Sequence, residues 1–108
     1  MKRLDNYIQE KLYIGKGYKV DKVEIENHID EILHKATSAK YDVSFGNYEG
    51  ELYVNIKFEE DQDNDDIHNW GLVIFKDILD ETKYKKYNQG SDWWCSSSKK
   101  IVLRFAYK

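Results

Sequence analysis

The run from Ile101 to Tyr107 constrains this chain more than any other stretch. Ile101, Leu103, Phe105 and Tyr107 alternate along one side of an extended segment, and Val102 and Ala106 make the other side apolar as well. Successive side chains of a strand point to opposite faces. A strand apolar on both faces lies inside its sheet or beneath a helix. The chain must therefore build a layered structure around its own carboxy-terminal segment. The polar stretch Cys95–Lys100 before that run supplies a turn, and Trp93-Trp94 leads into it, which predicts a hairpin over Trp93–Tyr107. Adjacent strand residues cannot both enter one core, so one of the two tryptophans is expected on the other face or under another element.

Two further alternating runs precede it. Tyr41, Val43 and Phe45 share one face, as do Leu52, Val54, Ile56 and Phe58. The segment Gly46–Gly50 between them predicts a turn, hence a second β-hairpin. Helices are expected elsewhere. Leu4, Tyr7, Ile8 and Leu12 have helical spacing in Met1–Ile14, which Gly15-Lys16-Gly17 would end; a hairpin through Leu12–Val20 competes. Asp21 and Glu24 have the spacing of a capping box, and Ile25, Ile29, Ile32, Leu33 and Ala36 follow as an apolar stripe. A third helix, roughly Asp65 to Asp80, would place Ile67, Trp70, Val73, Ile74 and Ile78 inward. Gly71 weakens it by about 1 kcal/mol, and a strand at Gly71–Phe75 is the alternative. These elements predict one α+β domain over residues 1–108. Its expected order is α-α-β-β-α-β-β, with two β-hairpins forming one antiparallel sheet and the helices packed on it.

A chain of 108 residues buries roughly 65% of its unfolded surface. Its 3 Trp, 9 Tyr and 4 Phe exclude a disordered chain. The single cysteine excludes an internal disulfide and fits a reducing compartment. The longest apolar runs, Gly71–Phe75 and Ile101–Leu103, fall far short of a membrane span or a signal segment, so a cytosolic protein with no membrane partner is expected.

The net charge of −3 is unevenly spread. Residues 1–40 carry 8 basic and 7 acidic groups (+1), residues 41–81 carry 2 and 12 (−10), and residues 82–108 carry 7 and 1 (+6). Such blocks either fold against each other or face different partners. The basic block sets Lys83, Lys85, Lys86, Lys99, Lys100 and Arg104 among Tyr84, Tyr87, Trp93 and Trp94. Single-stranded nucleic acid is held by this mixture, cations tracking phosphates and rings stacking bases. These residues form the candidate partner- or nucleic-acid-binding set. Glu59, Glu60, Asp61, Asp63, Asp65 and Asp66 form a candidate acidic protein-contact surface.

No catalytic residue, metal or cofactor is expected. An EF-hand loop beginning at Asp61 would need glycine at its sixth position and glutamate at its twelfth, where Asp66 and Leu72 stand. His28 and His34 are six apart rather than the four that would share a helix face, and Cys95 has no cysteine partner for zinc. As a nucleophile, Cys95 lacks a recognisable motif around it. Asp42 with Asn55-Ile56-Lys57 echoes a nuclease metal site, but Asn55 replaces the second carboxylate. Gly15-Lys16-Gly17 lacks the frame of a phosphate loop.

The opening Met-Lys-Arg-Leu-Asp-Asn-Tyr-Ile-Gln-Glu-Lys-Leu resembles the start of many small tailed-phage and prophage proteins, which share a Met-Lys-x-Leu-x-x-Tyr-Ile-x-Glu-Lys-Leu pattern. The resemblance covers Met1–Leu12 and transfers no functional residue. It implies a phage-type accessory protein. Small phage proteins with charged, aromatic surfaces are often counter-defence inhibitors, so the implied function is anti-CRISPR-like: binding a host RNA-guided nuclease, or its guide RNA, in the host cytosol. The acidic block would mimic nucleic acid toward a basic groove, or the basic block would touch the RNA. An accessory protein binding RNA or single-stranded DNA is the alternative, and a structural or assembly partner of a virion is a second.

The α-helical stripe beginning at Ile25 should be core. Ile29→Ala is expected to lower unfolding free energy by about 2–5 kcal/mol, measured by urea titration; an unchanged midpoint would place the stripe on the surface.

Overall fold

The computed structural model describes residues 12–15, 18–81 and 90–106. In chain order the elements are β1 (Tyr13–Ile14), β2 (Tyr18–Lys19), α1 (Lys22–Ala36), β3 (Tyr41–Tyr48), β4 (Glu51–Phe58), α2 (Asn64–Glu81), β5 (Asp92–Ser97) and β6 (Lys100–Phe105). β1 and β2 form a small antiparallel ribbon, and the other four strands form one antiparallel sheet in the order β3-β4-β6-β5. The class is α+β, as expected, and β6 lies inside the sheet.

Of the helix expected over Met1–Ile14 only the end falls among the described residues, and there the chain forms a strand instead. Met1–Lys11 lie outside the described residues, and Tyr13–Ile14 pair with Tyr18–Lys19, the hairpin alternative. The reason is tertiary. Gly15 N–H donates to the Gly50 carbonyl (2.7 Å), Tyr13 N–H donates to Asn47 Oδ1 (2.9 Å), and Asn47 Nδ2 returns a bond to the Tyr13 carbonyl (2.7 Å). Ile14 is buried. Strapping the ribbon to the β3–β4 turn satisfies backbone groups that helical periodicity alone cannot weigh.

In α1, Asp21 Oδ1 accepts the Glu24 N–H (3.1 Å) and so caps the first turn. Ile25, Ile29 and Leu33 are fully buried and Ile32 partly so. Ala36 is exposed, so the buried stripe ends earlier than its spacing indicated. The next turn is also tighter than expected. Gly46, Asn47 and Tyr48 continue β3, and Glu49-Gly50 alone reverse the chain, with φ of 52° and 80°. Two residues of positive φ match the twist of paired strands.

α2 begins at Asn64, where Asp63 Oδ1 accepts from the N–H groups of Asp65 (2.9 Å) and Asp66 (3.1 Å). Ile67, Trp70, Ile74, Ile78 and Leu79 are buried. Val73, expected inward, is exposed, and Gly71 holds the inner position instead. A Cβ on Gly71 would sit 2.5 Å from the Trp93 ring. The helix can descend onto β5 only because that atom is missing, and the strand alternative for Gly71–Phe75 is set aside.

One core joins all layers. Leu52, Val54 and Ile56 of β4 stand opposite Phe105, Leu103 and Ile101 of β6. These six are fully buried under α1 and α2 together with Phe58. His28 Nδ1 and Asp77 Oδ2 clasp the two helices to each other.

Gly71→Ala tests the close approach. In an unobstructed helix it would stabilise by about 1 kcal/mol. Here it is expected to destabilise by about 1–3 kcal/mol, and Trp93→Leu in the same chain should relieve part of the loss. Urea unfolding of the single and double variants checks this; a more stable Gly71→Ala chain would refute the packing.

Candidate binding face

Because β4 and β6 turn their apolar residues toward the helices, their alternate residues line the opposite face. Among the described residues no helix covers that face. The strand register orders it in rows running across the sheet. Asp42, Lys57 and Lys100 form the first, ending near Ser97. Ser44, Asn55, Val102 and Trp94 form the second, and Gly46, Tyr53, Arg104 and Asp92 the third. Glu51 and Tyr48 lie beyond it.

The third row is tied together by charge. Arg104 Nε donates to Asp92 Oδ1 (2.8 Å), its NH1 to Glu51 Oε2 (2.8 Å), and Tyr53 Oη to Glu51 Oε1 (3.0 Å). The hydrogen bonds to Asp92 and then Glu51 raise the Arg104 pKa, and the bond to Glu51 leads the causes raising that of Tyr53. Arg104, expected as a cation available to phosphate, already holds two carboxylates. The second row is different. Val102 is buried although it faces outward, flanked by Asn55 and Trp94 on the neighbouring strands, and Trp94 is 39% exposed. In the first row Lys57 and Lys100 stand directly opposite each other.

The two tryptophans separate as alternation demands. Trp93 points to the helix side, against Gly71 and with its ring centroid 4.8 Å from that of His68. It is packed into the core rim and is removed from the stacking surface. Trp94 alone presents an indole outward. Of the other expected contact residues, Lys99 is exposed in the β5–β6 turn and Lys100 is half-buried. Lys83, Tyr84, Lys85, Lys86 and Tyr87 lie outside the described residues.

All six acidic candidates are exposed. Two have local work. Asp63 caps α2, and Asp61 Oδ1 accepts from Ser98 Oγ (2.6 Å). Gln62 N–H donates to the Ser98 carbonyl (2.9 Å) and Phe58 N–H to that of Lys99 (2.7 Å), so the acidic segment runs along the lysine-bearing turn. The acidic segment and the Lys99–Lys100 turn therefore adjoin, and each dilutes the other's field. No cation among the described residues lies within ion-pair distance of these six carboxylates.

Cys95 is half-buried, and desolvation pushes its thiol pKa up, so it is held protonated. No group of three or more His, Cys, Asp or Glu side chains able to hold a metal converges among the described residues. Sequence reasoning overlooked Tyr53 and Glu51, although their i, i+2 spacing with Asn55 and Lys57 marks the second face of β4. It also overlooked the open groove at the end of α1. There Tyr41 Oη donates to Asp30 Oδ1, and His34, Lys35, Lys40 and Glu59 form the surround. Compared with known proteins, this chain matches no family model, no curated sequence and no solved structure.

Burial first, and then the bond to Asp30, raise the Tyr41 pKa well above its ordinary 10.0. A group whose pKa is raised on folding binds its proton more tightly in the folded chain. Its contribution is fully present below pH 10 and is lost as pH climbs above it. Wild type should therefore lose stability above that pH more steeply than Tyr41→Phe, as read from urea midpoints across the alkaline range; parallel curves would deny Tyr41 this role.

Proposed function

We propose that this chain is a non-enzymatic binding protein that grips a protein partner with the outer face of its sheet. One observation carries the reading: an exposed Trp94 in the middle row of a mostly polar face that no helix among the described residues covers. An indole left in water is a large apolar surface. On a partner it becomes the kind of rigid aromatic anchor that dominates interface energy. The surrounding charge favours protein over nucleic acid. Lys57, Lys100 and Arg104 are matched by Asp42, Glu51 and Asp92 on the same face, and Arg104 is neutralised by two of those carboxylates. A phosphate backbone would meet as much repulsion as attraction there.

The setting we propose is counter-defence in the host cytosol, the partner being a host RNA-guided nuclease or its ribonucleoprotein. Support for that setting is the resemblance of Met1–Leu12 to small phage proteins. No helix among the described residues is long and apolar enough to cross a membrane. The opposed pair Lys57 and Lys100, one row from Trp94, favours a second reading in which single-stranded RNA stacks on the indole.

The test is recovery of the nuclease complex on the tagged full chain from host cells, with and without ribonuclease, alongside inhibition of cleavage. Protein binding is expected to survive ribonuclease. Trp94→Ala should weaken it by about 2 kcal/mol or more, tens of fold, with little change in the urea midpoint. Replacing Glu59, Glu60 and Asp66 by their amides spares the turn and the helix cap, and asks separately whether the acidic ridge contributes. Binding abolished by ribonuclease and by Lys57→Glu with Lys100→Glu would transfer the site to RNA. Full inhibition by Trp94→Ala would remove the face from the mechanism.

A further inference from the structure

The four-stranded sheet has two edges of unlike character. At one, β5 carries an irregularity in its register between Cys95 and Ser97. Bulges of that kind twist an edge away from further pairing. At the other, β3 keeps unbroken register with β4 over all eight residues from Tyr41↔Phe58 to Tyr48↔Glu51. It contains no proline and one charged residue, Asp42. Apart from that single carboxylate, no proline, bulge or register irregularity blunts it.

The orientation of its free backbone groups follows from two contacts. The Lys40 carbonyl accepts the Glu59 N–H (3.0 Å), and Tyr48 and Glu51 flank the two-residue turn. Both place the backbone groups of the even-numbered residues toward β4. In an antiparallel ladder the alternate residues point the other way, so Tyr41, Val43 and Phe45 direct their N–H and C=O groups outward. No strand among the described residues pairs with them. The side chains of these same residues sit half-buried at the rim of the core. At the far end Asn47 is engaged by β1, which confines the open edge to the Tyr41–Phe45 segment.

We propose that this edge receives a second copy of the chain, the two β3 strands pairing antiparallel about a twofold axis at Val43. Three features favour the copy over an unrelated extended peptide. The register sets Tyr41 against Phe45 of the other copy and Val43 against Val43, continuing the apolar rim across the axis. Asp42 falls opposite Ser44, so no carboxylate faces a carboxylate. The joined sheet is bounded on both sides by β5, whose register irregularity stops further addition, and the assembly closes at two. Pairing through β5 instead would leave β3 open. The proposal does not rest on the partner-binding role of Trp94, which lies on the face of the sheet rather than along this edge.

Sedimentation of the full chain over a wide concentration range should show a particle of twice the 12.9 kDa chain mass. A monomer throughout overturns the proposal. Amide hydrogen exchange supplies the address. The N–H groups of Tyr41, Val43 and Phe45 should gain protection as dimer accumulates, whereas that of Ser44 is protected in both forms. A dimer whose Tyr41, Val43 and Phe45 amides exchange freely has its interface elsewhere and overturns the assignment. Protection that appears only on adding another protein gives the edge to a different occupant and also overturns it. Val43→Lys places an ammonium at the rim and should leave a folded monomer by circular dichroism; an intact dimer would count against the edge. Should that variant fail to fold, the exchange pattern decides alone. Trp94→Ala should remain dimeric.

Discussion

Everything in this fold depends on the apolar seam between β4 and β6. Each hairpin can form from local sequence, but neither has both faces of a core. Joining Leu52, Val54 and Ile56 to Phe105, Leu103 and Ile101 makes one sheet of two ribbons and gives α1 and α2 a common floor. The pairing spans nearly half the chain, with the whole of α2 in between. A contact of such sequence separation must repay a large loop-closure entropy. That repayment comes from six fully buried side chains at once, which makes the seam cooperative rather than gradual.

The seam also decides which face of the sheet stays open. Among the described residues both helices lie on one side, and the other face carries mostly polar side chains. Its ion pairs organise the face but contribute modestly to stability, since Arg104, Glu51 and Asp92 are all partly exposed. Their more definite effect is to hold the Arg104 and Tyr53 side chains in the row next to that of Trp94.

Period-two and period-3.6 patterns revealed much of this architecture. The doubly apolar Ile101–Phe105 run located the interior strand, and Ile25, Ile29 and Leu33 located the buried side of α1. What escaped were the features decided by contacts between distant segments. Tyr13–Ile14 became a strand because Asn47 and Gly50 offered it partners. Gly71, on the buried side of α2, is seated directly over the Trp93 ring, so close that a Cβ there would meet it. No periodicity reports either contact. Of the proposed contact residues, alternation separated the two tryptophans but could not say which would stay in water. Charge counting exposed the acidic and basic blocks. It could not show that Asp61 and Asp63 are occupied by a turn and a helix cap, nor that Arg104 is held by two carboxylates.

The placement of the three tryptophans has an optical consequence. Trp70 is buried beside Phe58 (ring centroids 5.6 Å apart), Trp93 lies against the His68 imidazole, and Trp94 faces solvent. Indole emission shifts to longer wavelength as the ring meets water. The chain thus carries three indoles in three environments. Trp70 reports the core, Trp93 the seating of α2, and Trp94 whatever settles on the open face. A ligand arriving on that face would therefore act on the longest-wavelength part of the indole emission and leave the Trp70 contribution in place.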